Sequence, residues 1–162
     1  MSRTFERGSA SRDALRNWWL GLERDRGTRA ELRRCGTALQ VTQVPGFHQL
    51  RAQLLQAGLS RQQVDSSGLA VVAGALSGLK NSGEKSPPVA FSDGEPAAVS
   101  PLRFRQLLEA READELLLRL RRVLPLASGI DALQLAFDAF HWSDEIRKRW
   151  VYAYRWPSKS HA

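Results

Sequence analysis

Apolar side chains recur at spacings of three and four residues along this chain, and arginines fill the positions between them. Near the carboxyl end, Trp142, Ile146, Trp150 and Tyr154 repeat at every fourth position, with Arg147 lying off that stripe. This spacing builds helices that are apolar on one side and cationic on the other. No strand-length run alternates apolar and polar residues, so the pattern predicts an all-α fold.

Glycine, proline and capping residues mark where the predicted helices begin and end. Ser11 or Asp13 is expected to open the first helix, and Ser100 and Pro101 occupy the N-cap and first position of a later one. Gly74 lies in the most apolar segment, where it permits close approach by a neighbouring helix. The predicted helices span residues 11–22, 28–35, 45–57, 60–79, 100–110, 111–124, 131–140 and 142–155.

The longest predicted loop, residues 81–99, contains three prolines and two glycines. We expect it to divide an N-terminal helical lobe from a C-terminal one, giving a two-lobed helical bundle with basic surface grooves. Residues 1–10 are expected to be disordered, and the last few residues to be frayed. The predicted divisions are therefore 1–10, 11–80, 81–99, 100–156 and 157–162.

Positive charge is concentrated in the first half of the chain. The whole sequence carries 24 basic and 17 acidic side chains, a formal charge of +7. Residues 1–80 hold 12 basic and 6 acidic side chains, whereas residues 81–162 hold 12 and 11. This balance favours polyanionic partners, nucleic acid first and an anionic membrane second. A basic surface that serves solubility alone fits the same charge.

Residues that could perform chemistry are scattered. The single cysteine, Cys35, is expected to be a small buried hydrophobe, and the three histidines have no metal-ligand spacing. We predict neither an enzyme nor a cofactor, and the lack of a signal or membrane-spanning segment predicts a cytoplasmic protein. Most aromatic residues belong to core stripes. Trp19 and Trp156 are the tryptophans whose placement leaves open whether they are exposed and can stack on bases.

Five segments, in order, resemble the CasB family, the small subunit of the type I-E CRISPR surveillance complex Cascade. The likeness covers roughly residues 12–155. It is most specific in RGTRAELRR, LRFRQLL and WSDEIRKRW. The segments are LRNWWLGLERDRGTRAELRRC, VPGFHQLRAQL, SPLRFRQLLEA, DELLLRLRRVLPL and LAFDAFHWSDEIRKRWVYAYRW.

The resemblance implies a non-catalytic, all-α protein that pairs head to tail with a second copy inside Cascade. Its partners would be the large subunit, the crRNA-bearing backbone subunits, crRNA-guided target DNA and the displaced single strand. It would bind nucleic acid without sequence preference and help to hold the R-loop open. The basic positions carried over to this sequence are Arg33, Arg34, Arg61, Arg103, Arg111, Arg121, Arg122, Arg147 and Lys148.

Two other functions fit a basic helical protein. In a protein-interaction adaptor, the arginines would pair with acidic partner surfaces and contact no nucleic acid. A stand-alone DNA-binding regulator would need a recognition helix facing base edges, and no helix-turn-helix spacing is visible. The resemblance favours the first function, a subunit of Cascade that binds nucleic acid and helps to hold the R-loop open.

Overall fold

The computed structural model describes residues 3–158, and these residues form an all-α fold, as predicted. The only β contact in that range is an isolated bridge between Lys85 and Ile130. The helices are α1 (Ala10–Gly21), α2 (Arg26–Arg34), α3 (Ala38–Val41), α4 (Pro45–Gln56), α5 (Arg61–Val64), α6 (Ser67–Leu76), α7 (Pro87–Phe91), α8 (Pro101–Leu108), α9 (Ala113–Val123), α10 (Ala132–Phe140) and α11 (Asp144–Ala153), with a 3₁₀ turn at Leu124–Leu126.

Helix α6 is the centre of the core because its residues 69–76 are all buried. It packs against α9 and α10 from the C-terminal half and against α2 and α3 from the N-terminal half. At Gly74, a Cβ atom would lie 2.8 Å from the Cδ1 of Leu117, so the glycine allows α9 to pack closely, as the sequence predicted. One apolar core therefore joins the two predicted lobes across residues 81–99.

The expectation that residues 1–10 are disordered is wrong for residues 3–10. Phe5 is fully buried, and its ring meets that of Phe140 edge-on at 5.3 Å. Ser9 caps α1, so the helix begins earlier than Ser11 or Asp13, and the Ser11 hydroxyl instead accepts from the Phe5 amide at 2.9 Å. Residues 1 and 2, like residues 159–162 of the expected tail, lie outside the described range.

Two segments differ from the sequence-based prediction of one continuous helix and one continuous loop. The predicted helix over 60–79 is two helices, because Asp65 ends α5 and the Ser66 side chain caps the first turn of α6. The predicted loop over 81–99 contains α7, whose Phe91 is fully buried and lies 5.9 Å from the ring of Trp150. That apolar anchor is why a proline-rich segment becomes ordered against the core.

Candidate nucleic-acid interface

The α2 groove is a cavity of about 470 Å³ between α2 and the chain segment that follows α6. Asp25 caps α2, with its carboxylate accepting from the Thr28 amide at 3.1 Å, and this fixes where the helix begins. The lining side chains are Glu23, Arg26, Arg29, Ala30, Arg33 and Lys80. Four cations therefore face one acid across an open groove.

None of these four cations has a carboxylate partner among residues 3–158. The Nε of Arg29 is also buried without a hydrogen-bond acceptor. A buried donor left unsatisfied costs about 1–3 kcal/mol, so the fold gains nothing from this nitrogen. Guanidinium groups suit phosphate oxygens because they offer several donors in a fixed plane.

The α8–α9 groove, of about 390 Å³, is a second basic cavity. It is lined by Arg103, Gln106, Leu107, Arg119, Arg122 and Val123. Arg119 is already engaged by the Gln106 carbonyl and by Glu115, 3.7 Å away. The side chains of Arg103 and Arg122 are exposed and form no ion pair within the described chain. Two of the sequence-predicted residues thus share this groove.

Arg121 differs from its neighbour Arg122, although the sequence assigned both to nucleic acid. Its guanidinium turns inward and donates to the carbonyls of Cys35, of Leu32 at 2.6 Å and of Gly74 at 3.4 Å. Burial lowers the pKa of this guanidinium. Arg121 therefore ties the end of α2 to α6 and α9, and its donors are occupied by the fold.

Arg147 is also engaged by the fold, through the carboxylate of Asp144 and the Ala110 carbonyl at 3.4 Å. Its side chain is only 14% exposed. Arg111 is exposed, and its guanidinium lies 3.4 Å from the same Asp144 carboxylate. Hydrogen bonding to Arg147 is the largest cause that holds the pKa of Asp144 below its usual range.

The remaining predicted residues lie outside both grooves. Arg34 is exposed next to Arg33, and Arg61 is exposed at the start of α5. Lys148 is exposed with its ammonium 5.9 Å from the centre of the Tyr152 ring. The structure thus places Arg33 in one groove, Arg103 and Arg122 in the other, and the other six residues outside both.

Sequence reasoning missed three cations of the α2 groove. Arg26 and Arg29 share a helical face with Arg33 at spacings of three and four, which is a signal that could have found them. Lys80 has no such signal, because it joins the groove only through the packing of α6.

The two tryptophans whose exposure the sequence left open have different environments. Trp156 is 40% exposed. Trp19 is only 4% exposed. Its indole N–H donates to the carbonyls of Leu76 and Leu79, each at 3.0 Å, and this holds the ring against α6. Cys35 is buried, as predicted, and burial raises the pKa of its thiol.

Within residues 3–158 there is no cluster of three or more side chains suited to a metal ion. In the same part of the chain, no helix has both the length and the apolar character needed to cross a membrane.

Comparison with known proteins gives one clear relationship. No curated protein and no solved structure matches the chain. The family model described as CRISPR-associated protein Cse2 matches residues 28–154, more than three quarters of the sequence. The matched range includes most of α2 and all helices from α3 to α11. The chain therefore belongs to the Cse2 family, also called CasB, the small subunit of the CRISPR complex Cascade.

Proposed function

We propose that this protein is a non-catalytic small subunit that binds nucleic acid without sequence preference and stabilises the R-loop of Cascade. In that role it supports crRNA-guided binding of the target strand and holds the displaced strand. The observation that carries this proposal is the α2 groove, which is lined by four cations that have no carboxylate partner among residues 3–158. Cations left unpaired by the fold are free to neutralise phosphates.

The energetics of an R-loop make such contacts effective. A guide–target heteroduplex is about as stable as the DNA duplex that it replaces, so modest contacts with the backbone can decide whether the loop persists. A basic groove needs no base-specific geometry to supply them. The exposed guanidinium groups of Arg103 and Arg122 offer a second surface of the same kind.

The proposed partners are the large subunit, the crRNA-bearing backbone subunits and a second copy of this chain, in the cytoplasm. Three exposed leucines on different helices are among the large apolar side chains that a contact with another subunit would bury. Leu39 is 69% exposed, Leu102 is 61% exposed and Leu118 is 47% exposed.

The test is R-loop formation by reconstituted Cascade, with the wild-type subunit, without it, and with Arg26→Gln plus Arg33→Gln. The matched control is Arg16→Gln plus Arg51→Gln, which removes the same charge from two arginines already paired with Asp13 and Asp65. We expect the groove variant to assemble normally and to shorten the R-loop lifetime, while the control leaves it unchanged.

The protein-interaction adaptor makes the opposite prediction. If the groove variant fails to enter the complex, its arginines contact a protein subunit and the adaptor is favoured. If it assembles and the R-loop lifetime does not change, the α2 groove does not bind nucleic acid.

A further inference from the structure

The α2 groove continues into a second, smaller cavity of about 190 Å³. The two cavities are adjacent because both are lined by Glu23, Arg29 and Lys80, and together they are here called the α2 furrow. Arg26 and Arg33 line only its basic end. Four residues that carry no charge line only its other end, here called the uncharged end: Trp19, Leu20, Asn81 and Ser82.

The uncharged end combines an apolar surface with a free amide. Leu20 is 53% exposed, and Trp19, which is buried, lines the same cavity. The side chain of Asn81 is exposed and makes no hydrogen bond within residues 3–158. An apolar surface next to an amide is suited to a flat, hydrogen-bonding ring.

Arg29 and Glu23 lie where the two ends meet. Arg29 forms no ion pair within residues 3–158, so no internal carboxylate competes with a bound phosphate for its guanidinium. Lys80 lines both cavities as well, so the cations at this point outnumber the single carboxylate of Glu23. The charge pattern therefore favours an anion at the basic end and a neutral group at the other end.

From this pattern we infer that the α2 furrow holds one unpaired nucleotide of a single strand, with its phosphate at the basic end and its base against Leu20 and Asn81. This inference rests on the proposed function, which already assigns a displaced single strand to this subunit, and adds to it a contact with one base. A base within a duplex is stacked and paired, so it cannot enter the furrow without giving up its stacking and pairing. An unpaired base enters without that cost.

The inference is tested with the full-length protein and three synthetic DNAs of equal length. They are a single strand carrying 2-aminopurine, a strand of the same phosphate number in which every base is replaced by an abasic site, and a duplex. Affinity is measured by competition at low salt. We expect the single strand to bind roughly 3- to 10-fold more tightly than the abasic strand, the size of a modest base contact. We also expect 2-aminopurine fluorescence to change on binding.

Leu20→Ser and Asn81→Ala are expected to abolish the preference for the base-containing strand while leaving affinity for the abasic strand unchanged. The control is Leu102→Ser, because Leu102 is at least as exposed but lies on α8, away from the furrow. Thermal unfolding checks that each variant is folded. If Leu20→Ser does not fold, Asn81→Ala alone tests the inference.

Each outcome decides a different claim. If the abasic strand binds as tightly as the normal strand, or if Leu102→Ser lowers affinity as much as Leu20→Ser, the nucleotide site is refuted and the proposed function stands on phosphate contacts alone. If no DNA binds with any dependence on salt, the proposed function itself fails.

Discussion

Two clusters of basic residues, one in each half of this protein, have different environments. In the N-terminal half, the cations of the α2 groove have no carboxylate partner within the described chain. In the C-terminal half, Arg111 and Arg147 share Asp144, and Arg149 pairs with the buried Asp138. A count of arginines does not distinguish these groups. What distinguishes them is whether the fold already satisfies each guanidinium, and only the unsatisfied ones are available to phosphate.

The largest expected effect is the loss of stability on removing Asp138, the buried acid of the C-terminal half. Asp138 is 1% exposed and accepts from the Trp150 indole at 2.8 Å and from the Gln134 amide at 2.9 Å, as well as from Arg149. Asp138→Ala leaves these donors without an acceptor, so we expect the free energy of unfolding to fall by about 3 kcal/mol, measured by urea denaturation. Arg149→Gln is the comparison. It keeps the Trp150 and Gln134 donors on the carboxylate but removes the counter-ion of a buried charge, so we expect a smaller loss of about 1–2 kcal/mol. Equal effects would show that the ion pair, and not the buried hydrogen bonds from Trp150 and Gln134, carries the stabilisation.

Arg121 and Arg122 allow the comparison to be made between adjacent residues. Arg121→Met removes the donors that satisfy the carbonyls at the end of α2, so we expect the free energy of unfolding to fall by about 2 kcal/mol. Arg122→Met changes an exposed side chain, and its effect on stability should stay within about 0.5 kcal/mol. Chemical denaturation of both variants checks this. The division between structural and available arginines is wrong if Arg122→Met is the more destabilising.

The α8–α9 groove is predicted to contribute to nucleic-acid binding. Arg103→Gln with Arg122→Gln is expected to weaken the binding of a single-stranded oligonucleotide by about tenfold at low salt, because two phosphates are no longer neutralised. Arg34→Gln with Arg61→Gln, which removes two exposed charges outside both grooves, should change affinity by less than about threefold. Fluorescence anisotropy titrations measure both. Equal effects would mean that net charge, not groove geometry, determines affinity.

The smallest effect concerns acid sensitivity in the C-terminal half. Arg147 holds the pKa of Asp144 below its ordinary value in the folded protein. The unfolded chain therefore binds the proton more readily, so this contribution to stability is fully present above the ordinary Asp pKa of about 3.9 and disappears as pH falls through the lower folded value. Asp144→Asn should flatten the decline of stability in that window, measured by thermal unfolding at a series of pH values. An unchanged profile would show that the Asp144–Arg147 pair is not linked to folding.

Local patterns predicted the helices well. The stripe Ile146, Trp150 and Tyr154 is buried along α11 and its C-cap, as its four-residue spacing required. The interruption between α5 and α6 was missed because a serine is tolerated inside a helix. Only the structure shows that the Ser66 hydroxyl accepts from the Gly68 amide and so caps α6. The burial of Phe5 was missed because a single aromatic residue in a polar segment carries no periodic signal.

The site was less predictable, for a physical reason. Whether an arginine is available depends on acceptors that are distant in sequence, such as the α2 carbonyls that engage Arg121 from α9. Helical spacing places a side chain on a face, but it does not identify what lies opposite. Arg33, Arg103 and Arg122 were correctly placed on exposed faces, whereas Lys80 entered the α2 groove through packing alone.

The most direct test of the central claim is the salt dependence of single-strand binding by the full-length protein, compared between two double variants. Arg26→Gln with Arg33→Gln removes unpaired cations of the α2 groove, whereas Arg16→Gln with Arg51→Gln removes cations that the fold has paired. The slope of log affinity against log salt should decrease in magnitude by roughly 1.4 for the first variant, about 0.7 for each phosphate that is no longer neutralised, and should stay unchanged for the second. Equal slopes for the two variants would contradict the claim that unpaired guanidinium groups form the nucleic-acid surface.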